Sequence, residues 1–256
     1  MAYDDSGGNG ELVVMLPGMG ALRSEYRFLA PLLRTAGYRA VTADLRGHGQ
    51  SSVPWPSYDV PSVGGDIVAL IETLKAGPAH VIATSFSPGA AVWAAAERPE
   101  LFRSLVLIGP FVRDIKLNPL MSAAVWVLMN NPWRVSTWMM YYPSLYPSRK
   151  PADFKDYLRQ LQANLAEPGR FEAAKALAGA SRRPAEERLG KLKAPVLVMM
   201  GTKDPDFPDP IAEAQFVAKQ TGGQATLIEG AGHYPQTEMP EETSRVVKGF
   251  LKKLTA

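Results

Sequence analysis

The chain of 256 residues is 46% hydrophobic and 21% charged, with a formal net charge of +3. That balance excludes a disordered or fibrous protein and suits one sizeable domain that can bury its own core. There is no cysteine, which excludes a disulfide framework, a thiolate nucleophile and a thiolate metal site.

A reducing, cytoplasmic location is the expectation. Basic residues are scattered apart from pairs such as Arg182-Arg183 and Lys252-Lys253, so no nucleic-acid partner is expected. Residues Met1 to Gly10 are acidic, small and polar, without the basic and apolar regions of a secretory leader. The most apolar long stretch, Pro119 to Tyr142, is broken by Asn130, Asn131, Pro132 and Arg134. It falls short of a membrane span, and no stable membrane insertion is expected.

In chain order, short apolar runs alternate with amphipathic segments. Strands are predicted at Leu12–Leu16, Ala40–Ala43, His80–Thr84, Leu105–Ile108, Val196–Met200 and Ala225–Ile228. Their continuous Val, Ile and Leu content is the signature of parallel strands buried on both faces. Helices are predicted at Tyr26–Thr35, Val63–Leu74, Pro88–Glu97, Ile211–Gln220 and Glu242–Leu254. The order implies an open, doubly wound α/β sheet. From Val112 to Lys191 no strand is evident. This interval holds three of the five tryptophans, Trp126, Trp133 and Trp138. It reads as a helical insertion covering a binding site, although any one of its aromatics could equally be packing core.

The sharpest local feature is His80–Ala96, HVIATSFSPGAAVWAAA. An apolar strand runs into a small-residue turn and then an alanine-rich helix, the layout of a nucleophile elbow. Ser85 follows the strand directly. Ser87 lies one position too late, because Pro88 marks the first helical turn. Serine needs an adjacent base, and the chain has three histidines. His80 begins the elbow strand, at the end away from the turn. His48 and His233 both lie in loops after strands, where α/β sheets bind ligands. Asp204, past the strand ending at Met200, is the leading acid. Asp206 and Asp209 are alternatives that read more simply as turn residues, and Asp114 is more remote. Leu16-Pro17-Gly18-Met19-Gly20 follows the first core strand and can bring the Met19 N–H toward Ser85, with the Phe86 N–H as a second donor. No clustered ligand set for a metal is evident.

With these motifs in place, the chain resembles the α/β-hydrolase superfamily along nearly its whole length. The resemblance rests on PGMG, DLRGHGQS, ATSFS, GTKD and GAGHYP. It implies a triad of Ser85, Asp204 and His233, in that chain order, which His48 and His80 do not satisfy. It implies oxyanion donors at Met19 and Phe86 and no cofactor. It also implies a helical cap between the sixth and seventh family strands. Residues 112–191 would be that cap, and 1–111 with 192–256 the hydrolase core. Ala83 and Ser87 replace the two glycines that usually flank the nucleophile. Pro17-Gly18 replaces the usual His-Gly, and the N-terminal strands are shortened. Serine at the elbow argues against dehalogenases and epoxide hydrolases, which place aspartate there.

The expected activity is cleavage of a carboxylic ester with a small hydrophobic substrate. Lactone, amide, thioester or C–C hydrolysis on the same triad, and non-catalytic ligand binding, are the alternatives. The expected pocket takes Met19, Phe86, Phe111 and one or more of Trp126, Trp133 and Trp138. Nothing in the pattern sets an oligomeric state.

Overall fold

The computed structural model describes residues 1–114, 119–130 and 132–255; Asn131, one of the polar breaks noted above, lies outside them. Seven strands form one sheet: β1 (Tyr3–Asp5), β2 (Leu12–Leu16), β3 (Arg39–Ala43), β4 (Ala79–Thr84), β5 (Phe102–Ile108), β6 (Val196–Gly201) and β7 (Gln224–Ile228). Their spatial order is β1-β3-β2-β4-β5-β6-β7. Only β1 runs antiparallel, against β3. It is the single short strand that precedes Leu12.

The helices among the described residues are, in chain order, α1 (Leu29–Thr35), α2 (Val60–Leu74), α3 (Ser87–Glu97), α4 (Pro119–Asn130), α5 (Arg134–Tyr141), α6 (Phe154–Ala166), α7 (Arg170–Gly179), α8 (Arg183–Glu186), α9 (Pro210–Thr221), α10 (Pro235–Glu238) and α11 (Pro240–Thr255).

Strand side chains alternate between the sheet's two faces. Leu12, Val14 and Leu16 pack with residues of α2, α3 and α9. Val13 and Met15 pack with Leu29 and Leu33 of α1 and Val247, Phe250 and Leu251 of α11. Both faces are therefore covered, and all residues of β2, β4 and β6 are buried. The helices start at sequence signals. Asp59 accepts a hydrogen bond from the Ser62 N–H (2.8 Å) at the start of α2, and Asp209 accepts from Ala212 N–H (2.9 Å) at the start of α9.

One predicted helix is shorter than expected. Arg23–Tyr26 forms a 3₁₀ turn, and α1 begins only at Leu29. Tyr26 is withdrawn into the core, where its hydroxyl meets the Leu16 carbonyl (3.0 Å) and Thr84 Oγ1 (2.6 Å). That buried contact overrides the helical period.

Helices α4 to α8 lie between β5 and β6, and among the described residues no strand interrupts them. They gather their own apolar cluster, including Trp138, Tyr142, Tyr146, Phe154, Leu161 and Phe171, into which Tyr234 projects from the loop after β7. No helix among the described residues is long and apolar enough to cross a membrane.

Candidate active site

Parallel pairing brings the carboxyl ends of β2, β4, β5 and β6 to one edge, with Leu16 beside Ala83, Thr84 beside Ile108 and Ile108 beside Met199. The loops after these strands meet there. Ser85 is the first residue beyond β4, and its φ of +64° lies in the left-handed region. A side chain there is strained, and the turn holds because both of its peptide groups are tied down. The Ser85 N–H donates to the Ile108 carbonyl (2.9 Å), and the Ser85 carbonyl accepts from the Phe111 N–H (3.0 Å). Phe86 then caps α3, with Pro88 in its first turn. Neither Ala83 nor Ser87 takes a left-handed backbone, so small size rather than glycine's conformational freedom is what those positions require.

The loop after β2 leans on this turn. A Cβ added at Gly18 would stand 2.6 Å from Ser85 Cβ and 3.0 Å from its Oγ, so glycine permits the approach. The Ser87 hydroxyl donates to the Pro17 carbonyl, which makes Ser87 a tie between the two loops. Gly20 N–H donates to His48 Nε2 (2.9 Å), and His48 Nδ1 faces the Arg46 carbonyl (3.0 Å). Burial pushes His48 below the usual histidine value, against the hydrogen bond to Arg46. It therefore stays neutral and able to accept. Among the described residues, hydrogen bonds occupy the N–H groups of Ser85 and Gly20 but not those of Met19 and Phe86.

His233 stands in the loop after β7. Its Nδ1 lies 2.7 Å from Asp204 Oδ2, and its backbone N–H donates to the Leu145 carbonyl (2.9 Å). The ring's other nitrogen, Nε2, is buried without a hydrogen-bond partner. Gly109 (φ +51°) allows the pair to pack closely: a Cβ there would sit 3.0 Å from the ring and 3.2 Å from Asp204 Oδ2. Burial alone would push His233 down. The charges of Asp204 and then Asp206, with the Asp204 hydrogen bond, overcome it and push the ring up to about 9.

Asp206, an alternative acid in the sequence that also reads as a turn residue, does sit in a turn, where its N–H donates to Asp204 Oδ1 (3.0 Å). It lines the cavity beside Ser85. Its Oδ2 is 3.5 Å from His233 Nε2, and the Tyr141 hydroxyl donates to its Oδ1. Burial raises its carboxyl above the ordinary value, against the pull of His233. Asp209 caps α9 as described. Asp114 accepts from the Ser181 hydroxyl and the Arg182 N–H, both at 2.7 Å. His80, at the far end of β4, meets Ser104 Oγ (2.8 Å) and Glu11 (3.4 Å).

The cavity has a volume of about 340 Å³. Ser85, His233, Met19, Phe86, Phe111 and Trp138 all line it. Trp126 and Trp133 do not; they are 66% and 67% exposed. Among the described side chains of α4, Val125 and Met129, one turn apart, line the cavity, while Trp126 faces solvent. Arg182 also reaches the cavity, a position that no sequence motif marks. Asp204, Asp206 and His233 offer ligand atoms within 4.8 Å of one another. Nδ1 and Asp204 Oδ2 already face each other at 2.7 Å.

This fold and site define a class. The family model described as "Alpha/beta hydrolase family" matches residues 13–246, and the chain belongs to that family. It is 24% identical over 230 residues to 3-oxoadipate enol-lactonase 2 of Acinetobacter baylyi, covering 84% of this chain and 79% of that one. Among solved structures it is similar in fold to a bromoperoxidase from Bacillus anthracis, with a TM-score of 0.85, 21% identity and coverage of 98% and 94% of the two chains. An esterase from Exiguobacterium antarcticum superimposes with a TM-score of 0.84, 22% identity and the same coverages, 98% and 94%. The chain is accordingly a hydrolase-family protein with a seven-stranded, mostly parallel sheet.

Proposed function

We propose that the protein is a serine hydrolase cleaving a carboxylic ester of a small, largely apolar substrate. The observation that carries this is a single cavity lined by both Ser85 and His233, with Asp204 bonded to the ring's far nitrogen. Ser85 Oγ attacks the carbonyl carbon while His233 Nε2 takes its proton. Asp204 holds the Nδ1–H tautomer and stabilises the imidazolium. The Met19 and Phe86 N–H groups, at a loop and a helix start, receive the developing oxyanion. The imidazolium then protonates the departing alcohol. Water, activated by the same ring, releases the acid from the acyl-enzyme. Helices α4 to α8 act as the cap that gives the cavity its apolar wall.

A lactone, an internal ester opened by the same steps, is the second reading, favoured by the likeness to an enol-lactonase. Two experiments test the core of this reading. Wild-type protein should hydrolyse short and medium p-nitrophenyl esters, with at least a thousandfold loss of kcat in Ser85→Ala, a floor well under the loss of about 10⁶ that removal of a triad nucleophile can cause. A fluorophosphonate probe should label wild type at Ser85. Folded protein that neither labels nor turns over such esters would instead be a ligand-binding member of the family.

A further inference from the structure

One wall of the Ser85 cavity carries a cation that forms no ion pair among the described residues. Arg182 lines the cavity, and its guanidinium stands 5.1 Å from the centroid of the ring of Phe86, the residue after Ser85. Nη1 donates to the carbonyls of Ala178 (2.9 Å) and Ala180 around the end of α7. Nε is buried and has no partner. The nearby arginines are differently placed: Arg113 pairs with Glu213 at 2.5 Å, Arg183 with Glu187 at 2.7 Å and Arg188 with Glu97 at 2.7 Å. Arg182 forms no such ion pair among the described residues. The acid it feels is Asp114, whose oxygens are already engaged by the Ser181 hydroxyl and the Arg182 backbone.

A guanidinium removed from water without an ion pair of its own is costly, and it stays charged at any working pH. A guanidinium that lines a cavity and keeps one donor unpartnered calls for a partner that arrives with the ligand. The fork of Nε and the outer nitrogen suits a planar anion bound by two hydrogen bonds. The cavity's own carboxylate, Asp206, is occupied by Tyr141 and His233, so its repulsion is largely spent on them.

We propose that Arg182 binds a carboxylate of the substrate, so that the ester or lactone opened at Ser85 carries an acidic group. This rests on the hydrolase reading above. The test compares esters matched in length. Mono-p-nitrophenyl glutarate against p-nitrophenyl pentanoate places the acid on the acyl side. 4-Carboxyphenyl pentanoate against phenyl pentanoate places it on the alcohol side. One acidic member should be preferred in kcat/KM. In Arg182→Gln the acidic-to-neutral ratio should fall about ten- to hundredfold, the size expected of charge-assisted hydrogen bonds. Arg182→Lys should restore part of it.

Glutarate binding, followed through the fluorescence of Trp138 in the cavity, gives a readout independent of turnover. It should be saturable in wild type and Ser85→Ala and weakened in Arg182→Gln. If Arg182→Gln fails to fold, the wild-type ratios and the glutarate titration still decide. Turnover of neutral esters with no acidic preference and no glutarate binding would overturn the Arg182 proposal alone. Glutarate binding with no ester turned over would overturn the hydrolase reading and leave the anion site standing.

Discussion

Two carboxylates face the two ring nitrogens of His233, Asp204 at 2.7 Å and Asp206 at 3.5 Å. Between them the ring is cationic up to about 9, and a cationic ring cannot take the Ser85 proton. The kcat/KM of wild type should therefore climb with pH through a midpoint near 9. In Asp206→Asn one raising charge is gone while Asp204 still fixes the tautomer. The midpoint should then move down, with activity at neutral pH rising; an unmoved midpoint in the pH–rate profile would remove Asp206 from the ring's surroundings. Stability carries the opposite sign. A histidine raised from 6.5 to about 9 contributes stability fully present below about 6.5 and lost as pH rises through about 9. The Tm of wild type should fall across that window, and that of Asp206→Asn should fall less. Chain order could single out His233 and Asp204, because each follows a strand in a readable loop. Asp206 stood only as an alternative because Asp-Pro-Asp reads locally as a turn, and Tyr141, its hydroxyl partner, lies on a helix 65 positions away.

Among the elements, the loop after β2 and the start of α3 are held to each other before any substrate arrives. Ser87 reaches Pro17, Gly18 packs on Ser85, and His48 accepts from Gly20 N–H at 2.9 Å. His48 thus acts as a positioning residue for the loop that carries the Met19 N–H. His48→Ala leaves a buried N–H without a partner, a cost of about 1–3 kcal/mol. We expect kcat to fall about tenfold or more, since a displaced oxyanion donor costs about 10²–10³ when lost outright, with KM changing less. His48→Gln, which keeps an acceptor, should recover part of the loss. Equal kinetics in both variants and wild type would show that the loop holds its shape unaided. Strands β2 to β6 were legible from apolar runs; β7 was placed but is largely exposed, not buried on both faces, and β1, Tyr-Asp-Asp, carries no such run. Helices α2, α3, α9 and α11 were legible from their period, with a proline start read only for α3. The shortening of α1 was not, because Tyr26 is set by a hydroxyl contact across two strands. The inward face of α4 was not legible either: Trp126 outweighs Val125 and Met129 in apolar size, yet helical phase points it outward.

Across the whole molecule, the helices between β5 and β6 are joined to the sheet through a buried carboxylate. Glu25 is fully buried. Its oxygens accept from the hydroxyls of Tyr146 (2.6 Å), Tyr142 (3.1 Å) and Thr237. Burial, then the Glu25 charge, pushes Tyr142 and Tyr146 well above the usual tyrosine value, so both remain neutral donors. Tyr142 and Tyr146 also stack on Tyr234, at 5.6 Å and 5.4 Å between ring centroids. Tyr234 is the residue after His233, so one network joins the helical layer, the 3₁₀ turn before α1 and the loop that carries His233. Nothing local in the sequence shows this, since its members come from three distant segments. Glu25→Ala would strand the Tyr146 hydroxyl at about 1–3 kcal/mol, while Thr237 keeps the residue-25 backbone carbonyl (2.7 Å) and Tyr142 keeps the Tyr157 hydroxyl (3.1 Å). A loss of about 2 kcal/mol is expected, or a Tm lowered by about 4–8 °C at this chain length. Glu25→Gln keeps one carbonyl acceptor and should lose less. If the network also sets how the helices close over Ser85, KM for long-chain esters should rise in Glu25→Ala below its new Tm, while fluorophosphonate labelling of Ser85 persists. A lowered Tm with unchanged KM would confine the network to holding the layers together.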